Sequence, residues 1–155
     1  MENSLLIELL GERNELGNNF FHEILYFGKL FLLEKFTRYF EESIAHLLNE
    51  KNHEGHACVH IAAAYGGNDA ISLIAELHSA GADLNAPNQT AGVTILHQAV
   101  YRGDHKLAKW LCSMKNVDLD AQDFAQKTPY DMARMKNDKK MMEILKKNGA
   151  KCDDN

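Results

Sequence analysis

Gly55-His56-Ala57-Cys58-Val59-His60-Ile61-Ala62-Ala63-Ala64-Tyr65-Gly66-Gly67 and Gly92-Val93-Thr94-Ile95-Leu96-His97-Gln98-Ala99-Val100-Tyr101-Arg102-Gly103-Asp104 are one pattern written twice. Each copy runs on into an apolar segment of helical period. Each then closes in a turn with Asn or Asp before Ala, namely Asp83-Leu84-Asn85-Ala86 and Asp118-Leu119-Asp120-Ala121. Self-similarity at a fixed period of a few tens of residues marks a solenoid, in which each unit buries its apolar face only against its neighbours.

The pattern resembles the ankyrin repeat, whose signature reads Gly-x-Thr-Pro-Leu-His-x-Ala-Ala-x-x-Gly, then Leu-Leu, then Gly-Ala-x-x-Asn. A later copy has Gln126 where the first glycine should stand. It keeps Lys127-Thr128-Pro129-Tyr130-Asp131-Met132-Ala133 and closes with Leu145 and Gly149-Ala150. A degenerate copy precedes the others. There, Gly17-Asn18-Asn19-Phe20-Phe21-His22-Glu23-Ile24-Leu25-Tyr26-Phe27-Gly28-Lys29 preserves both glycines and the histidine. His22, His60, His97 and Asp131 fall at intervals of 38, 37 and 34 residues. The resemblance implies an all-α ankyrin-repeat solenoid of about four helix-turn-helix repeats, the first degenerate, forming a single domain. Its expected parts are a capping segment over residues 1–13, a degenerate repeat over 14–51, repeats over 52–87 and 88–122, and a last repeat with C-terminal cap over 123–155.

Composition narrows the function classes. The net charge of −5 argues against nucleic acid as a direct ligand, because phosphate binding requires clustered positive charge. It suits a basic protein partner better. Three cysteines, Cys58, Cys112 and Cys152, are an odd number, which is expected of free thiols in a reducing compartment. The first residues lack the basic start of a signal peptide, and Glu8 interrupts their apolar run. The most apolar stretch, residues 20–36, carries His22, Glu23, Lys29, Glu34 and Lys35, too many charges for a bilayer span. The expected location is therefore the cytoplasm, with the nucleus as a further possibility, and no membrane association.

Local chemistry predicts the elements. Residues 4–10 read as a short helix with Ser4 as N-cap and Gly11 as its stop, and Leu5, Leu6, Leu9 and Leu10 cover the end of the stack. Residues 20–26 form an inner helix and residues 30–45 a long outer one, with Leu33, Phe36, Phe40 and Ile44 at helical spacing and mostly in the core. In the second repeat Ala57-Cys58 replaces the usual Thr-Pro, so its inner helix starts without a hydroxyl cap. Gly66 is expected to end that helix in a left-handed conformation. In the third, Thr94 is available as a cap, and Asn116 stands where a positive φ is expected. Thr128-Pro129 opens the fourth, whose outer helix over residues 138–147 ends in Lys146 and Lys147, favoured there by the helix dipole.

His53, His56, Cys58 and His60 are zinc-ligand types, but their spacing lacks a paired second half, and the resemblance makes His60 structural. No phosphate-binding glycine loop, Cys-x-x-Cys or nucleophile motif is present. No cofactor, metal or catalytic residue is therefore assigned, and the chain does not read as an enzyme.

Ankyrin stacks present a concave palm, lined by the two positions before the stopping glycine of each inner helix, and fingers at the hairpin tips. The resemblance places Tyr26 and Phe27, Ala64 and Tyr65, Tyr101 and Arg102, Met135 and Lys136 on the palm. The tips carry His53, His56, Asn88, Gln89, Thr90, Asp123 and Phe124. Tyr and Arg are enriched at binding hot spots because each brings a large contact area with a polar end. The assigned contacts are Tyr26, Phe27, His56, Tyr65, Asn88, Gln89, Thr90, Tyr101, Arg102, Asp123, Phe124, Met135 and Lys136. The competing reading has the tyrosines pack against the next repeat.

Arg102-Gly103-Asp104-His105-Lys106-Leu107-Ala108, the Val117-to-Asp123 hairpin and Thr128-Pro129-Tyr130-Asp131-Met132-Ala133 resemble the I-kappa-B inhibitors of Rel/NF-kappa-B transcription factors, and in particular the truncated vankyrins of insect polydnaviruses. That implies a host Rel/NF-kappa-B dimer as partner and suppression of immune signalling. The Asp-Ser-Gly-x-x-Ser phosphodegron and acidic tail of the cellular inhibitors are missing from this sequence, so insensitivity to signal-induced degradation is expected. The alternative is a generic ankyrin scaffold or anti-apoptotic adaptor with a partner outside the Rel family.

Overall fold

The computed structural model describes residues 2–152. Its helices are α1 (Glu2–Gly11), α2 (Phe20–Tyr26), α3 (Leu30–Phe40), α4 (Ala45–Asn49), α5 (Cys58–Tyr65), α6 (Ala70–Ser79), α7 (Ile95–Arg102), α8 (His105–Ser113), α9 (Pro129–Met135) and α10 (Lys139–Lys147). There is no strand among the described residues. Inner helices α2, α5, α7 and α9 stack side by side, each backed by an outer partner, α3, α6, α8 and α10. The result is the expected ankyrin solenoid of four helix pairs. One apolar cluster runs through all four, from Phe21 to Ala150.

The hairpins between repeats are built on an Asn or Asp. Asn14, Asn52, Asn88 and Asp123 each accept two backbone N–H groups on Oδ1, from Leu16 and Asn18, Glu54 and His56, Ala91 and Val93, and Ala125 and Lys127. A side-chain oxygen thus does what a turn's backbone would otherwise do. Near each tip one residue takes a positive φ: Gly17, Gly55, Gly92 and, in the last hairpin, Gln126 at 59°. A Cβ on Gly17, Gly55 or Gly92 would come within 3.0 Å of the next hairpin, at His53, Gln89 and Phe124. Successive tips are also hydrogen-bonded, from the N–H groups of His53, Gln89 and Phe124 to the carbonyls of Leu16, Gly55 and Ala91. Glycine is thus required by space as well as by φ in the first three hairpins. No further hairpin among the described residues packs on Gln126, so there a side chain costs only its left-handed backbone.

The first three inner helices are each capped and tied forward by one histidine. His60 Nδ1 accepts the Ala57 N–H at 3.2 Å. Its Nε2 donates to the Val93 carbonyl of the next repeat at 3.2 Å. His97 repeats this with Thr94 N–H and the Lys127 carbonyl, and the Thr94 hydroxyl turns to the imidazole at 3.0 Å rather than to the helix backbone. His22 reaches the His56 carbonyl at 3.1 Å. In the last repeat Asp131 closes a capping box with Thr128, and Pro129 takes the first helical position as expected.

Five local expectations are corrected. Ser4 lies inside α1, which begins at Glu2, and is not its N-cap. Of the α1 leucines only Leu10, with Ile7, packs on the core, while Leu5, Leu6 and Leu9 stay exposed. The long outer helix over 30–45 is broken: α3 stops at Phe40, Glu41 takes a φ of 50°, and a 3-10 turn leads to α4. The break falls at Glu41, whose positive φ lies outside the right-handed helical region.

Gly66 is right-handed at φ −66°, and the left-handed residue is Gly67, one place later. Gly66 is needed instead for proximity, since a Cβ there would lie 2.5 Å from the Ala62 carbonyl. Asn116 has no positive φ; Asn137, at 54°, takes the left-handed place that Gly28 and Gly103 hold in their repeats.

Candidate protein-binding surface

The inner helices are short, so their C-terminal ends project the residues before each turn. Phe27, Tyr65, Tyr101 and Met135 are 70, 60, 67 and 72% exposed, unusual for large apolar side chains. Arg102 and Lys136 are exposed beside them, and Tyr26 and Ala64 are half-buried. The row is held rather than loose. Tyr26 and Tyr65 meet edge to face with centroids 4.9 Å apart, across the boundary between repeats. The Lys136 ammonium stands 4.9 Å over the Tyr101 ring and donates to the Tyr101 carbonyl. The Tyr26 hydroxyl faces Glu54 Oε2 at 3.5 Å, and burial pushes its pKa up.

Between α5, α7 and α9 this row opens into a cleft lined by Ala64, Val93, Gln98, Tyr101, Arg102 and Met132. Gln98 Oε1 is buried there with no hydrogen-bond partner among the described residues. That makes it an acceptor for a donor brought by a partner, since such an atom costs free energy until it is paired. The sequence reading did not include Gln98. Its signal is the variable place immediately after the histidine of the signature.

At the tips the expected residues separate. Gln89, Thr90 and Phe124 are exposed, and His56 is half-buried with Nδ1 3.5 Å from Glu54 Oε2. Asn88 is buried, 5% exposed, and its carboxamide oxygen is committed to Ala91 and Val93. Asp123 is half-buried, with Oδ1 taken by Ala125 and Lys127. Through those oxygens the two side chains hold the hairpins. The signal that distinguishes them is the recurrence of Asn or Asp eight or nine residues before each His22-type position.

Elsewhere the chemistry is quiet. No group of three or more His, Cys, Asp or Glu among the described residues is placed to hold a metal. Burial pushes the Cys58 thiol up strongly and that of Cys112 to about 11, which leaves both protonated and poor nucleophiles. No helix among the described residues is long and apolar enough to cross a membrane.

The family model for ankyrin repeats matches residues 4–123 and 59–155. Similar proteins come from Microplitis demolitor bracovirus (isolate Webb). The I-Kappa-B like protein C2 is 38% identical over 92% of this chain and 78% of the relative. The I-Kappa-B like protein H1 is 34% identical over 94% of this chain and 76% of the relative. The I-Kappa-B like protein G1 is 44% identical over 70% of this chain and 61% of the relative.

Proposed function

We propose, from the premise that this chain belongs to the ankyrin-repeat family and to its I-kappa-B-like members, that it sequesters Rel/NF-kappa-B transcription-factor dimers of a host cell and thereby suppresses immune signalling. It is a protein-binding scaffold of a non-enzymatic family. The observation that carries the proposal is the exposed row Phe27, Tyr65, Tyr101 and Met135, with Arg102 and Lys136 at its side. Tyrosine and arginine in such a row are the side chains that anchor interfaces. The adjoining cleft adds an unpaired acceptor at Gln98. Bound there, the chain masks the dimer's DNA-contact and nuclear-localisation surfaces and holds it in the cytoplasm, with the nucleus a second place of action.

Calorimetric titration of the purified chain against an insect Rel homology dimer at physiological salt tests this. Saturable submicromolar binding that competes with the DNA site is expected. Absence of binding to every Rel dimer would overturn the proposal and leave a partner outside that family.

A further inference from the structure

We infer that the face formed by α1 and α3 joins two copies of this chain about a two-fold axis. It is a different surface from the row proposed to hold the transcription factor, and none of that row's residues lines it. Leu6, Leu9 and Leu10 of α1 and Phe36, Tyr39 and Phe40 of α3 wall a groove of about 560 Å³, floored by Phe20 and bounded by Lys35. The Tyr39 hydroxyl reaches Asn3 Oδ1 at 3.3 Å and bridges the two helices. The apolar surface continues past Lys35 to Phe31. Leu5, Leu9, Phe31 and Tyr39 are all more than half exposed, at 61, 52, 64 and 63%. Contiguous apolar surface of that kind is an interaction site rather than ordinary scatter.

Charge identifies the occupant. In its sequence α1 carries only acidic charge, and Glu12 follows it directly. Leu5, Glu8 and Leu9 stand three and four residues apart, hence on one helical stripe, opposite the inward Ile7 and Leu10. The outward stripe of α3 is Phe31, Lys35, Arg38 and Tyr39, apolar and basic, with the Lys35 ammonium 4.7 Å over the Phe31 ring. Glu8, Lys35 and Arg38 have no ion-pair partner among the described residues.

One copy therefore carries side by side a leucine ridge flanked by carboxylates and an aromatic ridge flanked by cations. Two such surfaces are complementary when related by a two-fold axis, because each α1 then meets the other copy's α3, as an isologous interface requires. Burying both ridges covers the exposed leucines and brings Glu8 of each copy to the Lys35 and Arg38 cations of the other.

Sedimentation velocity on the full chain, from micromolar to millimolar concentration, reads the outcome. The wild type is expected to shift from monomer to dimer, and Leu5→Glu with Leu9→Glu to remain monomeric with an unchanged thermal midpoint, since both side chains are exposed. Glu8→Lys and Lys35→Glu are each expected to weaken the dimer about tenfold, and the double reversal to restore it, because a charge pair tolerates exchange of its ends. A wild type that stays monomeric throughout overturns the inference, as does a dimer indifferent to all four substitutions. If the monomeric wild type binds a Rel dimer and the Leu5→Glu, Leu9→Glu chain does not, the face belongs to that partner instead.

Discussion

Tyr65 meets the ring of Tyr26 edge to face at 4.9 Å, yet is 60% exposed. One side chain thus packs across a repeat boundary and faces outward. The two readings of such tyrosines are therefore not exclusive.

Replacing Tyr65 with Ala is expected to lower stability by about 0.5–1.5 kcal/mol, the worth of an aromatic pair. Replacing Tyr101, whose ring meets Lys136, is expected to cost less, roughly 0.5–1 kcal/mol. Each should weaken partner binding by about 1–4 kcal/mol if it is a hot spot. Titration of both folded variants against a Rel dimer checks this, and unchanged affinity would remove the row from the interface.

His60→Ala should be far more damaging than any surface change. It leaves the Ala57 N–H and the Val93 carbonyl without their partner in a buried setting, at a cost of about 2–4 kcal/mol. The urea midpoint reads the loss directly.

Acid should unfold this chain through its histidines before its carboxylates. Burial holds His22 and His97 below their ordinary 6.5 and brings His60 to about 4. The unfolded chain takes up these protons near 6.5, whereas folded His60 resists until near 4, and folded His22 and His97 likewise take theirs up at lower pH than when unfolded. Stability is therefore full above 6.5 and declines as pH falls from 6.5 towards 4. Asp131, lowered by the Thr128 N–H, acts only below its ordinary 3.8. The thermal midpoint measured across pH should be flat above 6.5 and slope below it. His60→Gln should flatten part of that slope.

The hairpin glycines allow a paired test. Gly55→Ala should destabilise by more than about 2 kcal/mol, because the Cβ meets both left-handed strain and Gln89 at 2.6 Å. Gly103→Ala has open space and should cost only about 1 kcal/mol. Gln126→Gly should stabilise by up to about 1 kcal/mol, by relieving the same backbone strain. Chemical denaturation of the three variants orders them.

The fold was legible because its information is periodic. The glycine and histidine spacing stays readable when single positions drift, even where Gln126 and Asp131 stand in for glycine and histidine. What was illegible depends on one atom or one neighbour. Apolar spacing runs unbroken from Leu33 to Ile44, so it could not reveal that Glu41 leaves the helical region. Gly66 looks like its counterparts, but a three-residue 3-10 turn after it moves the left-handed residue to Gly67. At the surface, exposure of the aromatic row followed from its place in the repeat. The hairpin role of Asn88 and Asp123 was not legible, because a polar residue at a tip looks the same whether it faces solvent or closes the hairpin.

The forward bonds of His22, His60 and His97 all point the same way along the chain. Asp131, by contrast, bonds within its own repeat among the described residues, to Thr128 and Arg134. Loosening one of the first three inner-helix caps thus also loosens the grip on the following neighbour, whereas Asp131 passes no such bond onward. Cooperativity is consequently directional. Fraying starts at α9 and α10 and spreads backwards, and the amide protons of those two helices exchange ahead of the rest.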